Sequence, residues 1–191
     1  ILSQKSEVAA GDVLATEKDS YAQINFSDGS SMTLRPNTRM KIETYSFVQD
    51  RPQEDSSFFR LLKGGLRTVT GLVGKRGNQD AYRLTTATAT IGIRGTGWYA
   101  ESDPEQTYFC TCYGRTDVAA ISDPQSKETI EARHHDRPVY ILAKSAAGRA
   151  IRSAPFINHT DQELSLIETL VGRTPPFVFP KDDYKGPRRD Y

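Results

Sequence analysis

The chain has 191 residues, 25 basic against 24 acidic side chains, 37% hydrophobic content and two cysteines. Near-cancelling charge with no basic stripe excludes the electrostatic footprint of a nucleic-acid binder. No window approaches ~18 consecutive apolar residues, which excludes a membrane-spanning helix, and two cysteines do not make a disulfide framework.

The first half is dominated by alternation with a period of two. Ala22, Ile24 and Phe26 alternate with Gln23 and Asn25; the turn Asp28-Gly29 follows, and then Met32 and Leu34 alternate with Thr33. Two such runs around Asp-Gly predict a β-hairpin. Pro36-Asn37 marks the next break, and Met40 and Ile42 begin another strand. Residues 49–57 are a polar loop, Phe58 to Leu62 an apolar strand ended by Gly64-Gly65, and residues 74–80 a second polar loop. Ala87, Ala89, Ile91 and Ile93 then alternate with Thr86, Thr88 and Thr90, which predicts a strand that Gly92, Gly95 and Gly97 interrupt. Gly92, Arg94 and Gly95 read as a tight bend after it, with Arg94 satisfying carbonyls or pairing with a carboxylate inside the turn. The run Gly92 to Gly97 lacks the Lys-Ser/Thr of a phosphate loop and has no helix behind it. Further strands are expected around 98–101, 107–113, 116–121, 128–133 and 138–143.

The segment Thr107 to Gly114 holds both cysteines, Cys110 and Cys112, one residue apart. On a strand, Tyr108, Cys110 and Cys112 share a face. Their Cα atoms then lie about 6.5–7 Å apart, at the outer limit for a disulfide, whereas a metal adds about 2.3 Å of reach per sulfur. His134-His135-Asp136 lies downstream, and Pro138 makes a turn there reasonable. Two thiolates and two imidazoles suit tetrahedral zinc and can also hold a [2Fe–2S] cluster. Cys110, Cys112, His134 and His135 are therefore the candidate ligands. His159 is an alternate, although a histidine just before a helix cap often only packs there. The bland reading is two buried thiols and a polar turn.

One helix is expected over 160–171. Thr160 and Glu163 have capping-box spacing, Leu164, Ile167, Leu170 and Val171 form an apolar stripe, and Gly172 and Pro175-Pro176 stop it. The chain is thus expected to be mainly β, a sandwich or a β-helical stack, with one C-terminal helix. Its organisation reads as a β-rich domain with an extension over 1–145, a helix-containing segment over 146–179 packed on it, and a flexible tail over 180–191.

These pieces resemble a family. Gly11-Asp12-Val13-Leu14-Ala15-Thr16, Ile24-Asn25-Phe26-Ser27-Asp28-Gly29-Ser30, Leu34-Arg35-Pro36-Asn37-Thr38, Leu62-Lys63-Gly64-Gly65-Leu66-Arg67 and Thr86 to Thr96 occur in the order and spacing of the FecR domain of bacterial envelope proteins. The resemblance covers about residues 8–101. It implies a β-rich periplasmic domain with an envelope protein or ligand as partner. Founding members relay siderophore-receptor occupancy to a cytoplasmic sigma-factor regulator. This sequence contains neither their N-terminal helical domain nor a transmembrane helix, so that role is not carried over. A start at Ile1 fits a removed signal peptide or a truncation.

No frame for catalysis stands out. His134, Asp136 and Ser145 lack a nucleophile elbow, and Asp182-Asp183 sits in the expected tail. The function expected is a non-catalytic periplasmic FecR-like module that binds a partner or ligand and signals, stapled by a Cys/His metal site. The alternative is a metalloprotein, zinc or iron–sulfur, whose Cys-x-Cys plus His-His site carries the function.

Overall fold

The computed structural model describes residues 1–78, 80–144 and 149–177. Ser145 and the expected tail with Asp182-Asp183 lie outside these residues. Among these residues, twelve strands and one α-helix follow in order. They are β1 (Val13–Ala15), β2 (Ala22–Asn25), β3 (Ser31–Leu34), β4 (Arg39–Ser46), β5 (Ser56–Val69), β6 (Tyr82–Thr85) and β7 (Ala89–Ile93). The second half gives β8 (Gly97–Ser102), β9 (Gln106–Ala120), β10 (Lys127–Ala132), β11 (Val139–Leu142), β12 (Ile151–Ser153) and α1 (Asp161–Leu170). A single 3₁₀ turn, Pro52–Glu54, sits in the polar loop before β5.

The strands form two sheets that share β5 and β9. In the first sheet, β1 pairs with β4, β4 with the start of β5, β5 with β6, β6 with β7, β7 with the end of β9, and β9 with β10. In the second, β2 pairs with β3, β3 with the end of β5, β5 with β8, β8 with the start of β9, β9 with β11, and β11 with β12. Among the described residues, β5–β6 is the one parallel pairing. Antiparallel sheets joined by strands that switch between them make a sandwich with bent corners. A β-helical stack would instead pair successive coils in parallel.

Glycine makes the corners possible. Gly64 has φ 87° and Gly114 φ 89°, a left-handed conformation that costs other residues a steric clash. Before Gly64, β5 pairs with β4; from Gly64 onward it pairs with β8. Gly64-Gly65 therefore bends the strand rather than ending it. In the same way 107–113 and 116–121 are halves of one strand, β9, bent at Gly114.

The alternation at 86–93 is broken. Thr86 and Thr88 are buried and Ala87 is exposed, because residues 86–88 form the turn between β6 and β7. The Thr86 hydroxyl accepts from the amides of Thr88 (3.2 Å) and Ala89 (2.9 Å). Such local hydroxyl bonds compete with strand pairing, and periodicity does not register them. Gly92 lies within β7, opposite Arg83 and Asp117, and the bend falls at Gly95 (φ 73°). Arg94 pairs there with Asp117, at 2.7 Å from Nε.

The sheets enclose one core, which includes Met32, Leu34, Phe59, Leu66, Trp98 and Phe109. A second, smaller core lies on the outer face of the second sheet. Val69, Tyr99, Tyr108, Cys110 and Cys112 meet Leu164 and Ile167 of α1 there. The alternation along β9 dictates this: Phe109 enters the main core while Tyr108, Cys110 and Cys112 face outward to the helix layer. Both halves of the capping box form, with Glu163 N to Thr160 Oγ1 and Thr160 N to Glu163 Oε2 each at 3.2 Å. Leu170, expected in the apolar stripe, is 56% exposed, and Glu168 is buried instead. Glu168 accepts from Arg173 Nε (2.8 Å) and from the Tyr113 hydroxyl, so its charge is matched rather than stranded.

Candidate metal centre

The outer face of β9 sets Cys110 opposite Tyr99 of β8 and leaves both thiols fully buried and unbridged. Beyond β10 the chain turns over residues 133–136. Asp136 makes that turn, accepting from the amides of Arg133 (2.5 Å) and His134 (3.2 Å). His135 adopts φ 52°, and its amide donates to the Cys112 carbonyl at 2.9 Å. The twist of this turn removes the opposite-face geometry that adjacent histidines have on a strand. Both rings then reach one carboxylate. His134 Nε2 lies 2.8 Å from Asp161 Oδ2, and His135 Nε2 lies 2.9 Å from Asp161 Oδ1.

His159 enters from the third segment, immediately before the helix cap. It stacks on Tyr99 with centroids 4.4 Å apart and meets Phe156 edge-on at 4.5 Å. Its Nδ1 lies 2.7 Å from the Ile157 carbonyl, so that nitrogen carries the hydrogen and Nε2 keeps its lone pair. That Nε2 is buried and without a hydrogen-bond partner. The Cys110 sulfur lies 3.3 Å from His135 Nδ1. One donor atom each from Cys110, Cys112, His135 and His159 falls within 4.8 Å of every other, and all four residues are buried.

His134 is not part of this set. It joins His135 and Asp161 in a second group, on the side away from the thiols, and is partly exposed. The four-donor cluster therefore takes its second imidazole from His159 rather than His134. The signal for His159 in the sequence was its place at the helix entry; only the docking of α1 brings it over β9.

The two thiols of the cluster are shifted in opposite directions. Burial pushes the Cys110 thiol well up, and the neighbouring Cys112 adds to it. Burial acts the same way on Cys112 but is outweighed by Cys110, the Arg67 guanidinium and His135, which hold it well below the ordinary thiol range. Arg67, almost wholly buried, has NH2 at 3.7 Å from Cys112 Sγ, while NH1 donates to the Thr160 carbonyl (2.6 Å) and to Glu163 (3.2 Å). Burial lowers His159. Burial would lower His135 too, but the Asp161 carboxylate and Cys112 raise it. Burial would raise Asp161; His135 and His134 outweigh it and hold that carboxyl below its usual range.

A separate cavity of about 940 Å³ opens between the N-terminal residues 2–10 and the β2–β3 hairpin. None of the Cys/His cluster lines it. No helix among the described residues is long and apolar enough to cross a membrane.

The FecR protein family model matches residues 12–115, from β1 through the corner of β9. The chain matches no curated protein. Two crystal structures of a candidate anti-sigma factor from Parabacteroides distasonis ATCC 8503, at 2.50 and 1.65 Å resolution, share the fold. They superpose with TM-scores of 0.54 and 0.56 at 12% and 13% identity, over 75% and 82% of this chain. The chain spans 59% and 65% of the length of those structures. With more than half of its residues matched by the family model, the chain belongs to the FecR protein family.

Proposed function

We propose that this chain is a non-catalytic signalling module of the bacterial envelope, exported to the periplasm, where its sheets bind a protein or ligand partner. The observation that carries this is the FecR match over residues 12–115, which covers β5, the first part of β9 and both sheet corners. The anti-sigma-factor description of the two similar crystal structures supports a role in relaying a signal rather than in chemistry. So does the use made of the polar groups nearest the cysteines. Asp136 caps turn amides and Asp161 is held by two imidazoles, which leaves neither poised as a general base on a substrate. The β-rich unit over 1–145 is the binding body in this reading, and within the segment over 146–179 the residues after β12, 154–177, cover the outer face of the second sheet.

Fusing the native gene product to a reporter that folds only after export, together with cell fractionation, tests the location. Reporter activity and an envelope fraction are expected. A wholly cytosolic full-length protein overturns the envelope reading. Site-specific photocrosslinking in living cells, from exposed positions on the sheets, is expected to trap one envelope partner reproducibly.

A further inference from the structure

We propose that Cys110, Cys112, His135 and His159 form a tetrahedral site for one zinc-class metal ion, and that this ion staples the C-terminal helix layer onto the outer face of the FecR sandwich. The donor set is made for such an ion: two thiolates and two neutral imidazoles neutralise a divalent cation with soft and borderline ligands. Tetrahedral bonds of about 2.3 Å to sulfur and 2.0–2.1 Å to nitrogen place donors about 3.3–3.8 Å apart. The four donors here lie within 4.8 Å of one another, and Cys110 Sγ and His135 Nδ1 already stand at 3.3 Å. Small side-chain rotations close the remainder. A [2Fe–2S] core holds its cysteines on one iron and its histidines on the other, which spreads the two pairs apart. The compact cluster favours a single ion.

The outer contacts argue independently. Each imidazole presents one nitrogen to the cluster and gives its other nitrogen to a fixed acceptor. His135 Nε2 meets the Asp161 carboxylate, and His159 Nδ1 meets the Ile157 carbonyl. Metal-bound histidines are held in this way, by a carboxylate or carbonyl behind the ring. The buried His159 Nε2 is otherwise orphaned, and a buried polar atom without a partner is costly. A metal removes that cost. A disulfide does not, since it would leave both ring nitrogens facing sulfur.

The ligands come from three parts of the chain: the middle of β9, the β10–β11 turn, and the residue before the cap of α1. The ion therefore joins the FecR sheet to the helix layer at the point where Arg67 and Arg35 already grip Glu163. Loss of the ion frees His159 and removes one of the anchors of α1. The site and the envelope reading stand independently, because metal content is measured on purified protein and location in cells.

The test uses the purified chain, with metal content by mass spectrometry and Co²⁺ as a spectroscopic probe. One zinc per chain is expected, and exchange to Co²⁺ is expected to give thiolate charge-transfer and tetrahedral ligand-field bands. C112S and H159A should lose the metal, while H134A should retain it. If C112S or H159A does not fold, wild-type protein stripped by chelator and retitrated with Co²⁺ supplies the same spectrum. Chelation should also raise amide exchange across 154–177 more than across the main core. A folded protein that takes up no Co²⁺, a Cys110–Cys112 disulfide, or an iron–sulfur spectrum overturns the site. Metal binding that leaves exchange in 154–177 unchanged overturns the staple.

Discussion

Gly64→Ala tests the corner at which β5 leaves one sheet for the other. At φ 87° an added Cβ strains the backbone, at a cost of about 1–2 kcal/mol for an L-residue in the left-handed region. The new atom would also stand 2.5 Å from Thr38 Oγ1, 2.6 Å from Thr38 Cα and 2.9 Å from the Asn37 carbonyl oxygen. Two of those three atoms are backbone and cannot rotate away. The Thr38 hydroxyl bonds the Gly65 amide and carbonyl, both at 2.9 Å, and displacing it forfeits about 1 kcal/mol per bond. The expected total is about 3–4 kcal/mol. Gly11→Ala is the control: its φ is 97° and nothing lies within 4 Å of an added Cβ, so backbone strain alone applies, about 1–2 kcal/mol. Urea unfolding followed by the fluorescence of Trp98, the one tryptophan and fully buried, reads both variants. With a slope of about 2 kcal/mol per molar urea, a 2 kcal/mol gap separates the two midpoints by about 1 M. Equal losses for the two variants would refute the close approach of Thr38 and the corner built on it.

Thr160→Ala should cost about 1 kcal/mol through loss of the bond to the Glu163 amide, measured by the same unfolding assay; an unchanged midpoint would mean that α1 starts elsewhere. Asp117 gives a pH dependence. Burial would raise its carboxyl, but the Thr129 hydroxyl and the Arg94 guanidinium outweigh that and hold it below the usual range. A carboxyl depressed in the folded state stabilises above its unfolded value of about 3.9, and that contribution is lost as pH falls through the lower folded value. Stability curves of wild type and Asp117→Asn should therefore differ at neutral pH and converge as pH falls below about 4; a gap that stays constant down to pH 2 would count against the Arg94–Asp117 pair.

The β2–β3 hairpin and the helix with its capping box were legible in the sequence, because each rests on contacts within a few residues; the strands were legible by their alternation, except β1, β6 and β12, which periodicity does not mark. Asp28-Gly29 sets its own turn, and Thr160 and Glu163 satisfy each other's amides without help from the rest of the fold. That Tyr108, Cys110 and Cys112 share a face also follows from strand geometry alone. Where local hydroxyls act, periodicity misleads: the Thr86 side chain makes residues 86–88 a turn where the alternation reads as strand, and only Ala89–Ile93 pairs as β7. Tertiary structure decided the rest. Gly64-Gly65 and Gly114 look like strand ends in a sequence, and only the two-sided pairing of β5 and β9 makes them corners. Glu168 is buried and Leu170 exposed because Tyr113 and Arg173 are there to meet a charge. His135 faces the thiols because its backbone turns left-handed, and His159 joins it because α1 docks on the outer face of the second sheet. Residues 25 to 50 positions apart are brought within bonding reach by packing. Sequence spacing carries no record of that, since loop closure constrains distant residues only once the layers between them have formed.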